Sequence, residues 1–274
     1  MRRRKCSPLA DFSLAWAHNS EIFDLIELLQ APARQASSLQ ETEHRPWPLP
    51  GDSWVMGQSW LDLLFAHWRI DATVLREHVP DGLAVQEHDG SAWLGVTPFE
   101  LTGLRARGML PLPYVSSFRE INVRTYVTRD EKPRIWFLSL DASSQIAVEL
   151  ARRTYKLPYF QARISLERRA GRIFYESVRD ERTAFSGSYR GVGDPQAPRA
   201  GSLEHFLTER YCLYAEDRGR LHRAEIHHTP WPLQRAEANI DLNTMAPNGL
   251  VMDAEPVLHF SGRQDVVIWP LRPA

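Results

Sequence analysis

Residues 118–127 read FREINVRTYV, and polar and apolar residues alternate there from Glu120 to the end. Because successive side chains of a β-strand point to opposite faces, this alternation predicts a strand with one fully polar face. That face carries a carboxylate, an amide, a guanidinium and a phenol, in the order Glu120, Asn122, Arg124 and Tyr126. The alternation alone favours an arrangement in which this polar face is turned to solvent. The alternative is a face that lines a barrel interior, where Glu120 and Arg124 would orient a small polar ligand.

Strand-like segments dominate the rest of the chain from Trp54 onward. Two pairs of segments flank short turn sequences and predict β-hairpins, one around Gly171 and one around Gly219. Helices are few and short, with candidates at residues 143–152, 202–208 and 232–237 and within residues 71–83. Many antiparallel strands with few helices predict a β-rich α+β fold, a cone-like antiparallel β-barrel with peripheral helices.

The chain divides into two regions of different composition. Residues 1–45 are predicted to form an N-terminal extension, and residues 46–274 a single barrel domain. Within the extension, residues 19–30 are predicted to form a short helix, since apolar side chains follow one helical stripe at Ile22, Leu25, Ile26 and Leu29. The stretch after this helix is poor in apolar residues and ends in three prolines, which is typical of a linker.

The charge balance argues against a nucleic-acid partner, because the 33 basic and 34 acidic residues give a formal net charge of −1. No apolar run approaches the roughly 20 residues that span a bilayer, so no membrane partner is expected. The basic residues 2–5 resemble the start of a signal peptide. The apolar region that should follow is interrupted by Ser7, Asp11 and Ser13, so we expect a cytoplasmic protein.

Residues that usually hold metals or act as nucleophiles form no recognisable motif. The two cysteines, Cys6 and Cys212, are too few for a disulfide framework. His227 and His228 are adjacent and would point to opposite faces of a strand, so they would not chelate one ion. The chain has no phosphate-binding loop, dinucleotide fingerprint or G-x-S-x-G elbow. The sequence therefore predicts no metal site and no cofactor.

Eight sequence blocks between residues 46 and 235 carry a family resemblance. In order they are WPLP, FAHWRID with VPDGL, DGSAWLGVTPF, FREINVRTYV, IWFLSLDA, AR with YKLPY, ERYCLY and IHHTPWPL. Together they closely resemble the DUF2071 family, also called YqjF-like, which is named for its lack of an assigned function. The resemblance implies the acetoacetate decarboxylase-like fold, a cone-shaped β-barrel with peripheral helices. It also implies a homo-oligomer, because acetoacetate decarboxylases assemble into oligomers.

The likeness to acetoacetate decarboxylases also implies a site. Residues 118–120 match their Y-x-E pattern, which places Glu120 on the active-site glutamate of that family. Residues 151–158 match a segment that contains Gly-Arg, an aromatic residue and a proline. The decarboxylases continue with two lysines, whereas this chain has Tyr159 and Phe160. The Schiff-base lysine is therefore missing at its own position.

Lys156 is the nearest alternative amine. An imine requires a neutral primary amine, and in the decarboxylases an adjacent cation helps to lower the pKa of that lysine. Phe160 supplies no such charge. Lys156 precedes Tyr159 by three residues, an offset that in an extended strand directs it to the opposite face, so we interpret it as a solvated charge.

The leading functional hypothesis is a barrel that lacks imine chemistry and binds a small oxo-acid or a similar polar metabolite. Asn122, Arg124 and Arg152 are its candidate ligand-binding residues, since an arginine holds a carboxylate by a bidentate pair. The alternative is a lyase or hydrolase in which Glu120 acts as acid and base and Tyr159 as hydrogen-bond donor. A third hypothesis is an interaction protein whose residues 19–30 recruit a partner.

Overall fold

The computed structural model describes residues 26–113, 115–130 and 132–274, and fourteen strands in those residues form one continuous sheet. The strands are β1 Met56–Ile70, β2 Ala84–Val85, β3 Ala92–Ala106, β4 Phe118–Arg129, β5 Lys132–Ala142, β6 Tyr159–Gln161, β7 Arg163–Arg169, β8 Arg172–Val178, β9 Ala184–Gln196, β10 Cys212–Asp217, β11 Arg220–His227, β12 Leu233–Asn243, β13 Val257–Ile268 and β14 Arg272–Pro273. The helices are α1 at residues 26–37, α2 Ala72–Arg76, α3 Gln145–Tyr155 and α4 Leu203–Thr208, with a 3-10 turn at Ser38–Gln40.

Seven of these strands close into a ring. Their order is β11, β10, β5, β4, β3, β1 and β13. The ring closes where β13 pairs with β11, Ile226 opposite Ile268 and His227 opposite Val267. Every pair within it is antiparallel except β5 with β10. The predicted barrel with few peripheral helices is confirmed.

A second layer covers one side of the ring. Strands β12, β9, β8 and β7 continue the sheet beyond β13, and their apolar residues pack with one face of β4, including Ile121 and Val123. The opposite, polar face of β4 therefore points into the ring, and Glu120 is only 3% exposed. The solvent-facing interpretation of this face was wrong. The two-residue alternation of side chains shows that the two faces of β4 differ in polarity, but it does not reveal that a second sheet covers the apolar face.

The helix predictions were confirmed at α2, α3 and α4 and wrong at residues 232–237. Those residues begin strand β12, which pairs with both β9 and β13. Exposed and half-buried residues alternate along β12. Sheet pairing on both edges therefore outweighs the helical propensity of the local sequence. No helix in the described part of the chain is both long and apolar enough to cross a membrane.

Helix α1 differs from the predicted helix at residues 19–30. Residues 31–37, expected to be linker, are helical, while residues 19–25 lie outside the described residues. Ile26 and Leu29 of the predicted apolar stripe are 46% and 60% exposed. The buried contacts come instead from Ala31 and from Gln35, whose Nε2 donates to the Gly103 carbonyl at 3.0 Å. A small side chain and a buried amide hold α1, a pattern that hydrophobic periodicity does not detect.

The close approach of α1 to Gly103 gives a test of this packing. A Cβ at position 103 would lie 2.8 Å from the Ala31 Cβ, and the backbone there has φ of +61°. Gly108 has φ of +79° but nothing within 4 Å of its missing Cβ. Both alanine variants incur the left-handed backbone cost, but only Gly103→Ala also displaces α1. We expect Gly103→Ala to lower the free energy of unfolding by about 1 kcal/mol or more beyond Gly108→Ala in urea denaturation. Equal losses would show that α1 contributes little at this contact.

Candidate functional site

The ring encloses a cavity of about 120 Å³. Most of its lining is apolar and comes from the barrel strands, while α3 contributes residues that cover one side. The polar side chains on its wall are Gln58, Thr97, Glu120, Asn122, Arg124, Thr154, Tyr159, Thr208, Arg210 and His228. Since a cavity of about 150 Å³ accommodates benzene, this space suits a molecule of about six non-hydrogen atoms.

A carboxyl–phenol pair lies on the cavity wall. The Tyr159 hydroxyl donates to Glu120 Oε2 at 2.9 Å. Burial raises the pKa of Glu120 to about 8, although hydrogen bonds from Tyr159 and Asn122 act in the opposite direction. Burial also raises the pKa of Tyr159 well above its usual range. Glu120 is therefore a neutral carboxylic acid near pH 7, able to donate a hydrogen bond as well as to accept one.

The strand register brings further polar groups beside this pair. Thr97 on β3 lies opposite Asn122 on β4. Asn122 Oδ1, Thr97 Oγ1 and Arg124 Nε are all buried without a hydrogen-bond partner. Because an unsatisfied buried polar atom costs about 1–3 kcal/mol, such atoms on a cavity wall usually meet water or a ligand. The site therefore offers two free acceptors and one free cationic donor.

The C-terminal end of α4 fixes the cationic part of the wall. The Leu207 carbonyl accepts from the Tyr126 hydroxyl at 2.7 Å and from an Arg124 Nη at 3.3 Å. Arg210 Nε donates to the Phe206 carbonyl at 2.7 Å. Burial lowers the pKa of Arg210 to about 9, which leaves it protonated at neutral pH. Two arginines thus supply positive charge on the same wall as Glu120.

A short parallel strand positions Tyr159. Strand β6 pairs with β5, Tyr159 opposite Leu140. Arg152, a candidate ligand-binding residue, is exposed on α3 and does not line the cavity. Its Nε instead donates to the Tyr159 carbonyl at 2.7 Å. The structure thus brings Glu120, Asn122, Arg124 and Tyr159 together on the wall and places Arg152 behind Tyr159.

The two lysines that the structure describes lie away from this cavity. The chain has three of them, Lys5, Lys132 and Lys156, and Lys5 is outside the described residues. Lys156 ends α3 in a left-handed conformation, is exposed, and its Nζ lies 3.8 Å from Asp217 Oδ2. Lys132 is exposed at the start of β5. Neither of the two described lysines contributes to the cavity wall.

Several wall residues are absent from the sequence predictions, above all Arg210, His228 and Trp231. His228 lies just after β11 and its Nε2 lies 3.3 Å from the Arg210 carbonyl, whereas the Nε2 of His227 lies 2.8 Å from the Ser38 carbonyl outside the wall. The two histidines thus diverge, as adjacent residues of a strand should. The available signal was Trp231 between Pro230 and Pro232 just before β12, because flanking prolines restrict the backbone that carries the indole.

Within the residues that the structure describes, no three or more His, Cys, Asp or Glu side chains are grouped as metal ligands would be. Cys212 is buried in β10, and burial raises its thiol pKa to about 12. This thiol is therefore protonated at neutral pH and is an inert core residue.

The fold is the acetoacetate decarboxylase-like fold, as comparisons with solved structures show. The structure of MppR, an enduracididine biosynthesis enzyme complexed with pyruvate, matches with a TM-score of 0.59 at 13% identity and covers 84% of this chain and 93% of that one. Acetoacetate decarboxylase from Legionella pneumophila matches with a TM-score of 0.58 at 8% identity, over 85% and 93% of the two chains. At these identities the likeness concerns the fold alone.

The sequence comparisons identify the family. The profile of DUF2071, described as an uncharacterized conserved protein, matches residues 57–265. The uncharacterized protein YqjF of Bacillus subtilis strain 168 is 44% identical over 228 residues, which cover 82% of this chain and 94% of the relative. The chain belongs to the DUF2071 family, which confirms the resemblance seen in the sequence.

The raised pKa of Glu120 gives a prediction for stability. The folded protein keeps Glu120 protonated up to about pH 8, whereas the unfolded chain ionises it near its usual pKa of 4.5. The stabilisation that protonated Glu120 contributes is therefore fully present below the pKa of the unfolded chain, and it is lost as the pH rises through the pKa of the folded protein. Relative to Glu120→Gln, the wild-type free energy of unfolding should fall by about 1 kcal/mol per pH unit across this window.

Urea denaturation of both proteins at several pH values measures this difference. Glutamine is the matched control because it keeps the shape of a neutral carboxylic acid but does not titrate. If the free energies of unfolding of the wild type and of Glu120→Gln changed in parallel with pH, Glu120 would be ionised at neutral pH.

Proposed function

We propose that this protein binds a small oxo-acid or a similar compact polar metabolite non-covalently inside the barrel. The observation that carries the proposal is the Tyr159–Glu120 hydrogen bond of 2.9 Å on the wall of a cavity of about 120 Å³. Beside this pair, Asn122 Oδ1 and Arg124 Nε are buried and have no protein partner. An oxygen of an oxo-acid would accept from Arg124 Nε, and a water carried in with the ligand would donate to Asn122 Oδ1.

Charge complementarity favours an anionic ligand. Arg124 and Arg210 border the cavity, and at neutral pH no ionised Glu120 opposes a ligand carboxylate, since the pKa of Glu120 is about 8. Protonated Glu120 would donate to a carbonyl or carboxylate oxygen of the ligand, while Arg124 would supply a charge-assisted hydrogen bond. Above pH 8 the ionised Glu120 would repel the same ligand.

The placement of the lysines supports a non-covalent mode. Imine formation needs a neutral amine within reach of the ligand carbonyl. The two described lysines are exposed, and neither borders the cavity. By the sequence resemblance to the decarboxylases, Tyr159 stands where they carry a lysine, and a phenol cannot form an imine. MppR, whose structure contains pyruvate, has the same fold and makes a small oxo-acid the first ligand to examine.

A second candidate function is favoured by the pKa of Glu120 itself. A carboxylic acid with a pKa of about 8 can both give and take a proton near neutral pH. With Tyr159 as hydrogen-bond donor to a substrate oxygen, Glu120 would serve as acid and base in a lyase or hydrolase reaction. This candidate uses the same two residues but requires turnover in addition to binding.

Calorimetric titration with pyruvate tests the binding proposal. We expect saturable binding that weakens by up to about tenfold per pH unit above pH 8, as Glu120 ionises. Glu120→Gln should remove that pH dependence. Tyr159→Phe should weaken binding about three- to tenfold, through the loss of one buried hydrogen bond.

Tyr189→Phe is the matched control for Tyr159→Phe. The Tyr189 hydroxyl is also buried and donates to the Asp62 carbonyl at 2.9 Å, but this residue lies outside the cavity wall. The Tyr189→Phe variant should bind pyruvate as the wild type does. Absence of binding by pyruvate and a panel of small oxo-acids would refute the proposal. Turnover of any of them that Tyr159→Phe abolishes would favour the lyase or hydrolase candidate over simple binding.

A further inference from the structure

An apolar groove of about 650 Å³ adjoins the cavity. Its walls come from the start of β1, from the end of β3 and the segment after it, from α3 and from the two residues before β14. Five residues border both the cavity and the groove: Met56, Leu104, Leu150, Thr154 and Tyr155.

The groove presents exposed apolar side chains to solvent. Leu110 and Leu112 are 63% and 61% exposed, and Leu150 on α3 is 53% exposed. Contiguous exposed apolar surface on a folded protein usually marks a binding site. The large side chains that form this surface are Val55, Met109, Leu110, Leu112, Val115 and Leu150.

The cation in the groove wall is already engaged. Arg105 donates from Nε to Gln35 Oε1 at 2.7 Å, and its other nitrogens donate to the Pro32 and Met109 carbonyls at 3.1 Å and 3.4 Å. It therefore ties α1 to the groove and has little capacity left to bind an anionic partner. The available chemistry of the groove is that of an apolar occupant.

We propose that the ligand of this site carries an unbranched apolar tail that runs from the cavity, between Leu104 and Leu150, into the groove. This inference rests on the proposed function, because it places the polar head at Glu120. The ligand class is then an amphipathic oxo-acid, with a head of about six non-hydrogen atoms in the cavity and an acyl-like chain outside it.

The shape and lining of the two spaces favour a tail over a second protein copy as the occupant. The cavity of about 120 Å³ holds only the head, so any longer ligand has to extend past the residues shared with the groove. Three of the five residues shared by the two spaces, Met56, Leu104 and Leu150, are wholly apolar and join the cavity wall to the apolar groove. A continuous apolar path from the head to the surface is what an alkyl chain requires.

A chain-length series tests this inference. Binding of pyruvate, 2-oxohexanoate, 2-oxooctanoate and 2-oxodecanoate is measured by calorimetry below the micelle-forming concentration of each acid. We expect affinity to rise about two- to fourfold per added methylene, since each buried methylene contributes about 0.8 kcal/mol. Leu110→Gln and Leu112→Gln, which border the groove but not the cavity, should flatten this rise while pyruvate binding stays near the wild-type value.

Ile146→Gln is the matched control. Ile146 lies one turn before Leu150 on α3 and is 65% exposed, but it borders neither the cavity nor the groove. It should keep the full chain-length dependence. Melting temperatures without ligand show whether each variant folds, and at least one of the two groove variants is expected to remain folded.

The outcomes separate this inference from the proposed function. If pyruvate binds but longer acids bind no more tightly, the tail site is overturned and the binding function stands. If Leu110→Gln and Leu112→Gln keep the full chain-length dependence, the tail lies elsewhere and the inference is again overturned. A dimer that both groove variants dissociate, with no chain-length effect, would assign the groove to a second copy of the chain. If no oxo-acid of any length binds, the proposed function itself fails.

Discussion

Burial of strand β4 on both faces is the constraint on which the rest of the structure depends. Its apolar face, with Ile121 and Val123, is covered by the outer sheet. Its other face therefore turns a carboxyl, an amide and a guanidinium into the closed ring, where Glu120 is 3% exposed. An ionised carboxylate is costly in such surroundings, so the fold itself holds Glu120 as a neutral acid. The electrostatic character of the site thus follows from two packed layers of sheet.

The remaining elements position groups around that strand. Strand β6 brings the Tyr159 hydroxyl to Glu120, and Arg152 on α3 holds the backbone behind it through the Tyr159 carbonyl. The end of α4 fixes Arg124 by accepting its hydrogen bond at the Leu207 carbonyl. Tyr159 and Arg124 are thereby each held by a partner on a different element, which favours a preformed site over one assembled by the ligand.

The sequence was sufficient for features that depend on near neighbours. The hairpins at Gly171 and Gly219 have positive φ at both turn residues, as two-residue hairpin turns require. The alternation in β4 correctly paired Glu120 with Asn122 and Arg124 on one face. Family resemblance added the fold and drew attention to Tyr159.

Features that depend on distant contacts were not predictable in the same way. Periodicity did not reveal that both faces of β4 are buried, because the outer sheet comes from strands that begin only at Arg163, well after β4 ends at Arg129. Arg210 and His228 reach the cavity from the segments before β10 and after β11, where polar and apolar residues follow no regular pattern. Arg152 lies close to Tyr159 in sequence, yet its position on α3 turns it to solvent. Residues 232–237 form a strand because β9 and β13 pair with it on both sides.

The central claim is that Tyr159 and a neutral Glu120 hold an oxo-acid in the barrel without a covalent bond. Its most direct test is the intact mass of the protein after incubation with pyruvate and borohydride, with calorimetric binding measured on the same preparation and a decarboxylase as positive control. We predict saturable binding and an unchanged mass, while the decarboxylase acquires the reduced adduct. A mass increase equal to reduced pyruvate on this protein would contradict the account, because an imine would then form on one of its three lysines.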